Sequence, residues 1–225
     1  MDAAYTYGRS DTDSKTSMTT SSLNSSRFGV RGEEDLGSGL KAGFHLEASV
    51  ANDSGAGSAT NHNNQAVTAL TSAGTQGLTF GRRSTLSLMG GAGELRVGRD
   101  YTPHFWNHTV YDPFGTNGVG ASMANANSSG ASTNHTGVRA SNSIAYHSPS
   151  FNGFKAQLMT YMGENVSTSA KAGSGNSLRA TYDAGPLSLG IATGKTTTGT
   201  GTSWKATNYG GSFDLTVAKV MAVYS

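Results

Sequence analysis

The residues of this chain best placed to do chemistry are cations and carboxylates spaced two or four apart. Arg27, Arg31 and Glu33 share one parity, as do Lys41, His45 and Glu47, and Arg83, Arg96, Lys155 and Arg179 repeat the pattern further on. In an extended strand such spacing puts every member on the same face. A charged face of this kind can attract, orient or repel ions, but it pairs no nucleophile with a base. Arg139, Asp100 and Asp112 are further charged candidates beside the same runs. Two readings of each arginine stand open. It faces a confined aqueous space, where Arg or Lys lowers the entry barrier for anions, or it pairs with Glu33 or Glu47 and stiffens the wall.

Other chemistries fail on spacing. Gly190-Ile191-Ala192-Thr193-Gly194-Lys195-Thr196 resembles a phosphate-binding loop but is one residue short, and it runs into Thr197-Thr198-Gly199 instead of a helix. His104 and His108 are four apart, yet no Glu follows His104 and Pro103 precedes it, so the metalloprotease pattern fails and both read as solvated loop histidines. Asn107-His108-Thr109 and Asn134-His135-Thr136 fit the glycosylation pattern, as chance allows in a chain this rich in Asn, Ser and Thr. There is no cysteine and no Gly-x-Ser-x-Gly elbow. No enzyme, cofactor or metal site is expected, and a formal net charge of +2 gives no reason to expect nucleic acid.

The elements that must carry these residues are strands. From Leu40 the chain places Leu40, Ala42, Phe44, Leu46, Ala48 and Val50 on one face, and Lys41, Gly43, His45, Glu47 and Ser49 on the other. This stretch is long enough to cross a bilayer as a tilted strand. Similar runs begin at Asp2, Ser26, Leu78, Glu94, Ser141, Phe154, Leu178, Leu187, Trp204 and Lys219, about eleven strands in all. Short turns at 34–39, 90–92, 148–153 and 183–186 alternate with long polar segments at 10–24, 52–76, 102–138 and 164–175. With 31 Gly and 35% hydrophobic residues, the chain has little apolar material for a single packed core. A strand that is apolar on one face only needs no more. No apolar run reaches the roughly 18 residues of a membrane helix, and Met1-Asp2-Ala3 leads directly into strand-like sequence with no signal peptide.

Four segments, taken in order, resemble the general porins of Gram-negative outer membranes, those of β-proteobacteria most of all. They are Ser26-Arg27-Phe28-Gly29-Val30-Arg31-Gly32-Glu33-Glu34-Asp35-Leu36-Gly37, Phe80-Gly81-Arg82-Arg83-Ser84-Thr85-Leu86-Ser87-Leu88, Gly93-Glu94-Leu95-Arg96-Val97-Gly98-Arg99-Asp100-Tyr101-Thr102-Pro103, and Asp112-Pro113-Phe114-Gly115-Thr116-Asn117-Gly118. The resemblance implies an all-β, antiparallel transmembrane β-barrel of sixteen strands. Residues 1–225 would then be one barrel domain truncated at both ends, an incomplete barrel of about eleven strands. It also implies a homotrimer set in outer-membrane lipid and lipopolysaccharide, with small hydrophilic solutes and inorganic ions diffusing passively through each subunit.

Within that family a basic ladder on the wall faces acidic groups on an inward-folding loop. Arg27 and Arg83 match the ladder best, Arg31 and Arg139 more loosely, and the loop at 102–138 supplies Asp112, with Asp100 at its base and Glu47 on the wall. Phe114 follows Pro113 where the family motif often has Glu, so the resemblance implies under-balanced arginines and a preference for anions. Arg82 carries lipid-facing parity, which places it near an interface or at a bulge. Trp106, Phe105 and Tyr111 either anchor the inward loop or belong to an interfacial girdle, and 52–76 is either a latch onto a neighbouring subunit or a surface loop. Two readings compete with the pore. A soluble or surface β-rich binding module, adhesin-like, fits the Gly, Ser and Asn richness. An outer-membrane barrel hydrolase fits the abundance of Ser and His, without a motif that joins them.

Overall fold

Strand after strand, the alternation resolves into an antiparallel meander in the computed structural model, which describes residues 1–57, 64, 77–118, 120–121, 136–164, 171–198 and 202–225. Strands β1 (Ala3–Arg9) and β2 (Ser14–Thr20) form a hairpin of their own. A ten-stranded sheet follows: β3 (Arg27–Gly37), β4 (Leu40–Ser49), β5 (Arg83–Gly90), β6 (Gly93–Tyr101), β7 (Arg139–His147), β8 (Phe154–Tyr161), β9 (Gly175–Ala184), β10 (Leu187–Thr197), β11 (Ser203–Asp214) and β12 (Lys219–Tyr224). Each strand pairs with its sequence neighbour, and the edges β3 and β12 do not pair with each other among the described residues. The single helix among the described residues, α1 (Pro103–Tyr111), lies between β6 and β7.

Strand order and polarity follow the expectation, with two differences. Residues 10–24, expected as a long loop, contain β2. Its Thr and Ser residues tolerate extended backbone, and Tyr5 and Tyr7 of β1 face Met18 and Thr16 across the hairpin. The run expected from Leu78 enters the sheet only at Arg83, and Leu78 and Phe80 stay exposed outside it.

The two faces of the sheet differ sharply. Phe44, Leu86, Val97 and Ile144 pair in a row across four strands, and all are exposed. Leu158, Leu178, Ile191, Tyr209 and Phe213 continue the apolar face across the later strands. A contiguous apolar surface of that extent marks contact with lipid or protein. The opposite face carries the charged parity and also α1.

The sheet is curled around that polar face. Flat, β11 and β3 would lie about 38 Å apart at roughly 4.8 Å per strand. Yet α1, about 14 Å long, packs on β9, β10 and β11, while Asn117 in the turns just after it lies 3.4 Å from the Ser25 hydroxyl, two residues before β3. Those turns are folded and not extended, with Gly115 N–H bonded to Asp112 O and Asn117 N–H to Phe114 O. So short a bridge reaches both regions only if the sheet bends toward it.

Candidate functional site

Helix α1 starts where chain chemistry allows it. Thr102 caps it, its hydroxyl accepting from the Phe105 N–H, and Pro103 occupies the first turn, where no N–H is needed. One side of α1 is then tied to the polar face of β9–β11. His104 N–H donates to Ser177 Oγ at 3.0 Å, and Asn208 Nδ2 donates to His104 O at 3.0 Å. Asn107 donates to Asn208 Oδ1 at 2.7 Å and accepts from Arg179 Nε at 3.0 Å, while the Tyr111 and Ser188 hydroxyls are 2.9 Å apart. Glycines make the approach possible. A Cβ on Gly190 would lie 2.6 Å from Tyr111 Cε2, and one on Gly210 would lie 2.8 Å from Tyr111 Cβ and closer still to its ring.

His104 and His108, expected as solvated, are therefore buried, at 3% and 2% exposure. His104 stands edge-on to Trp204 at 5.4 Å, and neither of its ring nitrogens has a hydrogen-bond partner. Burial, reinforced by neighbouring His108, pushes its pKa down to about 4, so the ring is neutral. Burial also lowers His108, against the opposing pull of Asp112.

The other side of α1 looks across to the early strands. Between them lies a cavity of about 520 Å³ lined by Arg27, Arg82, Arg83, Arg139, Glu47, Tyr101, Trp106 and the turn at Gly115–Asn117, among others. Arg82 is 9% exposed. Its Nε donates to Glu47 Oε1 at 2.6 Å and its Nη2 to Tyr101 Oη at 3.0 Å, so it faces the polar side despite its sequence parity. The parity rule lapses because two residues oppose one at this point: Arg82 donates its N–H to Glu47 O, and Arg83 is also in register with Glu47. Arg27 is held more loosely to the same Glu47, at 3.7 Å. Arg139 donates to Tyr101 Oη at 2.6 Å and lies over the Tyr101 ring, 4.2 Å from its centroid.

Asp100 is nearly buried and bridges two cations, accepting from Arg83 Nε at 2.7 Å and Arg96 Nη1 at 2.6 Å. Arg31 stands apart from Arg27 and Arg139. It lines a neighbouring cavity of about 490 Å³ with Glu33, His45, Glu94 and Arg96, which Arg83 also borders. Asp112 is committed to the turn after α1. It is 3% exposed, and its carboxylate accepts from the N–H groups of Phe114 and Thr116, closing the turn that ends α1. A carboxylate can be satisfied by backbone N–H groups of an Asx-type turn, which is why Asp-x-Phe-Gly also reads as a turn. Sequence reasoning passed over Tyr101 and gave Arg82 lipid-facing parity; the two organise the cluster. The only signal for α1 itself was Thr102-Pro103, a cap followed by a first-turn proline.

The three aromatics expected as anchors or girdle divide. Phe105 and Tyr111 are buried anchors, at 5% and 0% exposure, whereas Trp106 is 38% exposed; Phe105 and Trp106 both line the cavity. Gly190–Thr196 falls inside β10, with no helix to present to a phosphate. Among the described residues no group of three or more His, Asp or Glu is placed to hold a metal. Asn134 and His135 of the second glycosylation pattern and most of 52–76 fall outside the described residues.

Comparison with known proteins supplies the remaining findings. A family model described as Gram-negative porin matches residues 1–225. Outer membrane porin protein 32 of Delftia acidovorans is 38% identical over 214 residues, covering 92% of this chain and 56% of that protein. An outer membrane porin protein of Bordetella pertussis is 35% identical over 133 residues, covering 59% of this chain and 29% of that protein. The solved anion-selective porin from Comamonas acidovorans superposes with a TM-score of 0.79 at 34% identity, over 94% of this chain and 60% of that one. Salmonella typhi OmpF, at 15% identity, a TM-score of 0.64 and coverage of 98% and 61%, shares the fold. The chain thus spans little more than half the length of the curated relative it matches most fully.

Proposed function

Because this chain belongs to the Gram-negative porin family, matched from its first residue to its last, we propose that it builds the wall and constriction of an outer-membrane pore for passive diffusion of small hydrophilic solutes, with a preference for anions. The observation that carries the anion preference is the cavity between α1 and β3–β6, where four arginines outnumber the two carboxylates that meet them, Glu47 on the lining and Asp100 behind Arg83. Asp112, the acidic group on the loop, is turned into its own backbone. In a confined, low-dielectric passage such an excess lowers the barrier to an anion and raises it for a cation. The printed name of the Comamonas relative, an anion-selective porin, agrees with this reading.

Residues 102–138 are the constriction loop in this proposal. The support is that α1 leans on β9–β11 from inside the curl while the turns after it meet Ser25. Arg27, Arg82, Arg83 and Arg139 form the basic wall, Arg31 lies beside it, and Glu47 and Asp100 hold it in shape. The outward apolar row meets lipid and lipopolysaccharide, and the assembled protein is a homotrimer. The relatives are porins, which places hydrolase chemistry outside the proposal.

Reversal potentials across planar bilayers holding the full-length protein in a potassium chloride gradient test the selectivity. The expected potential follows chloride; one that follows potassium overturns the anion reading. Heat-modifiable, detergent-stable trimers on gels are the expected assembly, and a detergent-free soluble monomer contradicts it.

A further inference from the structure

We propose that this cavity discriminates among organic anions in favour of planar aromatic carboxylates, with Trp106 as the stacking face and Arg27 and Arg83 as carboxylate partners. The inference rests on the anion-pore reading and names the substrate class of the same site.

The first observation is how α1 divides its aromatic residues. Phe105 and Trp106 both line the basic cavity, but Phe105 and Tyr111 are buried while Trp106 keeps 38% of its surface exposed. An indole left open in a polar passage offers a flat apolar face, the largest among side chains. Second, that face extends an ordered stack. Arg139 lies over Tyr101, and the Tyr101 ring is near-parallel to Trp106, at 5.6 Å and 29°. Tyr101 is held rigidly, since both Arg82 and Arg139 donate to its hydroxyl. A bound aromatic ring on Trp106 would add a layer to a stack whose ordering is already complete, which favours binding.

Third, the arginines differ in how far they are committed. Arg82 is taken up by Glu47, and Arg139 by Tyr101. Arg27 is only 3.7 Å from Glu47, and 46% of its side chain is exposed. Arg83 uses Nε for Asp100 and Nη1 for His45, two contacts among the five N–H donors of a guanidinium. Arg83 and Trp106 also border a smaller cavity together, so a cationic fork and an indole are neighbours from two sides. A guanidinium grips a carboxylate in its own plane, and in an aryl acid that plane continues into the ring. The volume of about 520 Å³ is ample for one such anion.

The test is inhibition of chloride current through the full-length protein in planar bilayers by benzoate and by cyclohexanecarboxylate, equal in charge and similar in size but without an aromatic face. Benzoate is expected to half-block at a concentration about tenfold lower, the ratio that stacking on an indole typically supplies. Trp106→Leu should bring the two acids within about twofold of each other, and Trp106→Phe should keep most of the difference. Equal block of the unaltered protein by both acids overturns the inference, as does discrimination that survives Trp106→Leu. The first comparison needs no variant, so a folding defect leaves the test intact. A cation-selective reversal potential overturns the anion reading and the inference with it; an anion-selective pore that treats both acids alike overturns the inference alone.

Discussion

Gly210→Ala tests how α1 is held inside the curl. The added methyl would stand 2.8 Å from Tyr111 Cβ and closer to Cγ and Cδ2. These atoms are the root of the side chain, fixed to the helix backbone, and the far end is tied to Ser188, so rotation about χ angles cannot relieve the contact. Tyr111 has no exposed surface into which to retreat. The helix must move, and overpacking of this kind costs about 1–3 kcal/mol. Alanine is intrinsically better than glycine in a strand by roughly 0.5–1 kcal/mol, but that gain applies whether or not α1 is docked. The docking equilibrium therefore takes the full clash, and the undocked fraction rises about 5- to 150-fold. Single-channel recording of the full-length protein should show larger openings and more frequent sub-state transitions. Gly211→Ala is the control, because a Cβ there would meet the end of the Leu189 side chain at 3.3 Å and Ser188 O at an ordinary contact distance of 3.8 Å. Gly210→Ala traces that match those of Gly211→Ala would refute the docking geometry.

Acid should loosen the same helix. With the docked His104 pKa at about 4 against an ordinary 6.5, the docked ring stays neutral where a freed ring takes a proton. The docking contribution is therefore whole above about pH 6.5 and is lost as pH falls toward 4, about 3 kcal/mol in all. The charged or titratable groups around it are His108 on α1 and Arg179 on β9, which adds positive charge, while Asp183 is engaged by Ser188 and Lys155. Channel noise should rise across that window, and His104→Leu should flatten the dependence. At the wall, Glu47→Gln should shift the reversal potential further toward chloride, because it removes the cavity's carboxylate. It should also lower the unfolding temperature on semi-native gels, since it strands the nearly buried Arg82 at a cost of about 3 kcal/mol; an unchanged potential would argue that the cavity is not the passage.

Period-two alternation alone determined that the chain is a sheet of antiparallel strands with one apolar and one charged face, because side-chain direction in a strand is a local property of the backbone. Short turns determined the meander order, since antiparallel neighbours need only a few residues between them. Arg27, Arg31 and Arg83 were legible on the charged face for the same reason. Tertiary structure decided what no periodicity encodes. It placed both Arg82 and Arg83 opposite Glu47, and it docked α1 onto glycines some eighty to a hundred residues away in sequence. That docking buried His104 and left Trp106 facing the arginines. It also decided that Asp112 closes the turn after α1, accepting from the N–H groups of Phe114 and Thr116, a use of the carboxylate that depends on where the helix ends.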